Sequence, residues 1–126
     1  MLVLSVAVGG AIGATLRHFV NVLVVSSFGV PSYYATFVVN VAGCTVAGCL
    51  LGLTVHVWSP SETMRLFVFV GIMGGFTTFS AFSTDSILLM ERGDWGPAAA
   101  YVLGSVLLSL AGFFVGLRAM RIMLAS

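Results

Sequence analysis

An all-α membrane protein of four transmembrane helices is the fold that this 126-residue chain predicts. Three observations predict it. Hydrophobic residues make up 60% of the chain, charged residues only 7%, and lysine is absent. A water-soluble domain of such length buries only about two-thirds of its unfolded surface, so this much apolar area calls for lipid as its solvent. Mean hydropathy is +1.15, and the apolar residues fall into four long blocks, about residues 2–25, 33–57, 66–90 and 97–117. About 20 apolar residues cross roughly 30 Å of hydrocarbon, so each block can span and the first three leave room for tilt or a local break.

The first block starts without basic residues and carries Arg17 well inside its apolar run. That is the wrong pattern for a cleaved signal peptide, so the block is expected to stay in the mature protein. Ser26, Ser27, Gly29 and Pro31 mark the first connection, Trp58 to Thr63 with Ser59-Pro60-Ser61 the second, and Glu91 to Gly96 the third. Such connections hold no soluble domain, and residues 1–126 read as one membrane domain. Trp58 and Trp95 sit beside loops two and three as interface anchors.

Charge orients the bundle only weakly. Arg65, Arg118 and Arg121 lie on one side; Arg92, with Arg17 near the end of the first span, lies toward the other. Two readings fit so small a Lys/Arg bias: insertion in both orientations, which permits antiparallel dimers, or a single orientation with both termini cytoplasmic.

Each span carries one small-xxx-small pair: Gly9 and Gly13, Gly48 and Gly52, Gly71 and Gly75, Gly112 and Gly116. Pairs of this kind let backbones approach where lipid supplies no hydrophobic drive, but they do not say which helix meets which.

Residues 74–85, Gly-Gly-Phe-Thr-Thr-Phe-Ser-Ala-Phe-Ser-Thr-Asp, place glycines, hydroxyls, phenylalanines and a carboxylate inside the third span. Unpaired polar groups in hydrocarbon cost several kcal/mol each, so this segment is expected to line a path or a site. Phe79 and Phe82, three apart, share a helix face; their ring edges carry partial positive charge and suit a small anion, though such pairs are also ordinary packing. Ser80, Ser83 and Thr84 surround them, and Asp85 lies one turn beyond Phe82. Two glycines beside two threonines also favour a helix break, whose freed carbonyls can hold a hard cation such as sodium. Tyr101, Ser105 and Ser109 recur every four residues down one face of the fourth span, either as a polar track or as interhelical hydrogen bonds. Asn40, near one end of the second span, is a hydrogen-bonding amide or a structural clamp.

Gly74-Gly75-Phe76-Thr77-Thr78-Phe79-Ser80-Ala81-Phe82-Ser83 closely resembles the third-helix signature of the Fluc (CrcB) fluoride channels, GGxTTFSTF. Gly9 to His18 resembles the family's Gly-Ala-x-x-Arg run, Asn40-Val41-Ala42-Gly43 its Asn-x-x-Gly, and Tyr101, Ser105 and Ser109 its polar track. The resemblance covers essentially the whole chain. It implies an antiparallel, dual-topology homodimer in the bacterial inner (plasma) membrane, with two fluoride pores and passive export of cytoplasmic fluoride that confers fluoride resistance. By resemblance Phe79 and Phe82 are pore phenylalanines, Asn40 a pore-lining donor, Tyr101, Ser105 and Ser109 the ion's track, and Arg17 a charge near a pore mouth. Ser80, Ser83, Thr84 and Asp85 are placed along the same path. Gly74 and Thr77 offer carbonyls to a structural sodium ion on the two-fold axis, where the two helix breaks meet. Ala81 departs from the signature's threonine, and Asp85 stands where many relatives have glutamate.

The alternative is a small proton-coupled multidrug exporter, also short and dimeric. Exporters of that kind use a carboxylate in the first span, which this chain lacks, leaving Asp85 to serve. A purely structural subunit is a third reading. An enzyme is not expected: His18 and His56 lack metal-ligand spacing, and Cys44 and Cys49 suit neither a disulfide nor a CxxC centre. The expected partners are fluoride, membrane lipid and a second copy of the chain, with no nucleic acid.

Overall fold

Turn residues separate four helices in the computed structural model, which describes residues 1–125. The first helix, Leu2–Phe28, stops where Gly29 takes φ 62° and its N–H bonds the Val25 carbonyl. That left-handed conformation penalises a Cβ, which is why glycine ends the helix. Pro31, extended, leads into the second helix, Ser32–His56. Ser61 caps the third, Glu62–Glu91, its hydroxyl accepting the Met64 N–H at 3.2 Å. Gly93, at φ 81°, turns the chain into the fourth, Trp95–Ala125, which runs on past Leu117 through Arg118 and Arg121. All four helices are long and apolar enough to cross a membrane.

The third helix is built in pieces. An α turn, Glu62–Arg65, passes into a π-helical run, Leu66–Met73, and then a short α segment, Gly74–Phe76. Thr77 (φ −80°, ψ 154°) and Thr78 (φ −147°, ψ 114°) are extended before the α-helix resumes at Phe79–Glu91. Threonine's branched Cβ suits extended backbone, so Thr77 and Thr78 leave helical geometry readily, whereas Gly74 and Gly75 just before them stay helical.

The closest packing pairs the first helix with the early part of the third, and the second with the fourth. Glycines make both seams. A Cβ on Gly9 would strike the Phe67 carbonyl, and one on Gly48 would strike the Phe113 carbonyl. Backbone-to-backbone approach of this kind replaces the hydrophobic drive that lipid cannot provide. Leu89, Ala98 and Tyr101 form a small buried cluster, with Tyr33, Phe37, Phe82 and Met90 against it, tying the later part of the third helix to the second and fourth. Leu103, Leu107, Leu110 and Phe114 face outward, as lipid-exposed residues do.

Candidate functional site

Asn40 holds the break in the third helix. Its Nδ2 donates to the Thr78 carbonyl at 3.0 Å, while its Oδ1 accepts the Thr78 N–H at 2.8 Å. In an unbroken helix that N–H would serve the Gly74 carbonyl, four residues earlier. The Ala81 N–H is diverted in the same way: it bonds the Thr78 hydroxyl at 3.2 Å instead of the Thr77 carbonyl. Gly74 and Thr77 have thus both lost their ordinary helical donors to side chains. Gly75's carbonyl, also at the break, accepts Arg17 Nε–H at 3.1 Å.

These geometries bear on a cation. Among the described residues no cluster of three His, Cys, Asp or Glu side chains is suited to a metal ion. Released carbonyls are hard oxygen donors, and Gly74 lies exposed on the outer surface of the chain. Two carbonyls fall short of a full shell, so a hard cation here would take further oxygens from outside this chain.

Beside the break, a groove of about 230 Å³ is lined by Asn40, Thr77, Thr78, Phe79, Phe82, Ser105 and Ser109, with Cys44 and Val106 completing its wall. Five of the residues picked out by sequence for an ion path meet here: Asn40, Phe79, Phe82, Ser105 and Ser109. Their hydrogen-bonding states differ in a way sequence does not reveal. The hydroxyls of Ser105 and Ser109 are buried without a partner among the described residues. Each retains an O–H to donate, and the Asn40 amide retains its second N–H. Leaving such groups unpaired costs about 1–3 kcal/mol each, which a visiting acceptor would recover.

The other polar residues stand apart. Ser83 and Thr84 return their hydroxyls to the carbonyls of Phe79 and Ser80, both at 2.9 Å. Ser80 lies 3.3 Å from the Thr78 hydroxyl on the exposed side. None of these three lines the groove. Tyr101 donates to Asp85 Oδ2 at 3.0 Å, so Asp85 is held by the fourth helix. An aromatic series leads away from the groove: Phe79 and Phe82 have centroids 5.4 Å apart, Phe82 and Tyr101 5.5 Å, and Tyr101 meets Tyr33 edge-on at 5.5 Å.

The family model described as "CrcB-like protein, Camphor Resistance (CrcB)" matches residues 4–117. The chain belongs to that family. Curated relatives of this CrcB-like chain include "Fluoride-specific ion channel FluC 2" of Nitrobacter hamburgensis, 48% identical over 94% of this chain and 95% of the relative. "Fluoride-specific ion channel FluC" of Rhodospirillum centenum is also 48% identical, over 95% of each chain. A Chloroflexus aurantiacus protein of the same name is 40% identical over 90% of each. The CrcB-like chain is therefore a multi-pass membrane protein of a fluoride-channel, non-enzyme family.

Three residues of the groove, Cys44, Thr78 and Val106, are not singled out for a role by the sequence pattern. Thr78 was one hydroxyl among several, yet its backbone is what Asn40 grips. Cys44, unsuited by spacing to a disulfide or a CxxC centre, lines the wall. Its position one helical turn after Asn40 was the available signal.

Proposed function

We propose that this chain is a fluoride-selective passive channel that exports cytoplasmic fluoride through the Asn40–Phe82–Ser109 groove. The observation that carries the reading is the pair of unpartnered buried hydroxyls, Ser105 and Ser109, facing two phenylalanines in a chain whose relatives are named fluoride-specific ion channels. Fluoride is small and strongly hydrated, so a pore must replace its water with donors that do not grip too tightly. Ser105, Ser109 and the spare Asn40 N–H are such donors, and the rims of Phe79 and Phe82 add weakly positive edges. Tyr101, bonded to Asp85, would continue the track beyond Phe82. Ser80, Ser83 and Thr84 would border the path, and Arg17 would raise anion concentration near its mouth.

The working unit in this reading is an antiparallel, dual-topology homodimer with two pores, in the bacterial inner membrane. Its support is the outer face of the third helix, where Phe79 is 78% exposed and Ser80, Thr84 and Gly74 are exposed beside it. Polar groups and an open break are poorly suited to lipid contact, whereas a second copy would cover them. The carbonyls of Gly74 and Thr77, freed from their helical donors, would then hold a structural sodium ion with their counterparts. That ion would supply fixed positive charge between the subunits.

The test is fluoride-electrode efflux from liposomes holding the purified protein, with chloride recorded in parallel and no proton gradient. Fast fluoride release with little chloride release supports the channel. Transport that requires a proton gradient would instead favour an exporter working through Asp85, and absence of any flux a structural subunit.

A further inference from the structure

A second cleft, of about 400 Å³, opens between the end of the second helix and the start of the third, remote from the break. Its walls include Leu51, Leu66, Phe69 and Val70, and Arg65 is its one charged lining residue. Among the described residues Arg65 makes no ion pair, although Glu62 lies one turn earlier on the same helix. Arg65 sits in the first turn of a membrane-crossing helix, and Val70 lies deeper along it. Trp58 stacks on Phe69 at 6.5 Å, and an indole at that position marks headgroup depth. The cleft therefore has a cationic mouth at the membrane surface and apolar walls leading toward hydrocarbon.

Charge at this end favours an anionic occupant. Gly52 packs against Leu117 and Met120, which brings the tail arginines Arg118 and Arg121 to the same end of the bundle as Arg65. Three arginine side chains at this end stand against a single acidic side chain, Glu62, whereas the opposite turn sets Arg92 against Glu91 and Asp94. We propose that this cleft binds one anionic phospholipid per chain, with Arg65 pairing with its phosphate and Leu51, Leu66 and Phe69 receiving an acyl chain. Basic pockets between membrane helices hold phospholipid headgroups by this combination of charge and apolar wall. Zwitterionic phosphatidylcholine carries no net charge to complement the end, so selectivity should follow headgroup charge.

The site is independent of the fluoride path and is tested without transport. Delipidated full-length protein is equilibrated in mixed micelles containing equal dioleoylphosphatidylglycerol and dioleoylphosphatidylcholine, and retained lipid is counted by native mass spectrometry. One phosphatidylglycerol per chain should be retained in preference to phosphatidylcholine. Arg65→Gln should weaken its retention about fivefold, the effect of one basic residue near an anionic surface. Arg65→Lys should restore most of it. Leu51→Trp fills the cleft with every arginine in place and should displace the same lipid, while Arg92→Gln at the opposite end should leave it bound. Equal retention of the two lipids by the native protein, or native retention by both Arg65→Gln and Leu51→Trp, would overturn the assignment.

Discussion

Replacing Asn40 by alanine removes two hydrogen bonds at once, the 3.0 Å bond to the Thr78 carbonyl and the 2.8 Å bond from the Thr78 N–H. Each is worth about 1 kcal/mol net, so the break should be loosened by about 2 kcal/mol. At 1.4 kcal/mol per tenfold, that makes local opening about thirtyfold more frequent. Hydrogen–deuterium exchange of peptides spanning residues 74–84 reads this directly, because the Thr78 amide is one of the bonded groups. Exchange there should accelerate about thirtyfold in Asn40→Ala, and fluoride efflux should fall with it. Peptides from the first and fourth helices should exchange as before. If efflux were lost while Thr78 exchange stayed at its native rate, Asn40 would act on the ion alone and the clamp argument would be wrong.

Ser105→Ala should stabilise the fold by about 1–3 kcal/mol, since it removes a buried hydroxyl that has no partner among the described residues, yet lower fluoride efflux about tenfold; thermal denaturation in detergent and liposome efflux separate the two effects. Gly48→Ala should cost about 1–3 kcal/mol because its new methyl meets the Phe113 carbonyl, whereas Gly10→Ala, with nothing within 4 Å, should melt at or above the native temperature. Arg17→Lys keeps the charge but loses the Nε–H that bonds Gly75, so efflux should fall about as far as in Arg17→Met. Efflux near the native rate in Arg17→Lys would return Arg17 to a purely electrostatic role.

The sequence by itself determined what depends on local chemistry. Hydrophobic length fixed the number of helices, and Gly29 with Pro31, Ser61 and Gly93 mark the turns between them, because caps and left-handed turns are satisfied within a few residues of themselves, although the third helix begins at Glu62 and the fourth runs on to Ala125. The glycines and threonines of residues 74–78 marked a segment unlike the rest of its helix for the same reason. Only tertiary structure decided the partners. Asn40 and Thr78 are 38 residues apart, and Arg17 and Gly75 are 58 apart. Nothing in the local pattern says that the amide will capture the backbone of Thr78 rather than donate only to an ion. Nor does the four-residue spacing of Tyr101, Ser105 and Ser109 show that the first is bonded to Asp85 while the other two stay unpaired. A polar side chain in hydrocarbon takes whichever partner packing brings within about 3 Å, and that choice is made by helix pairing across the bundle.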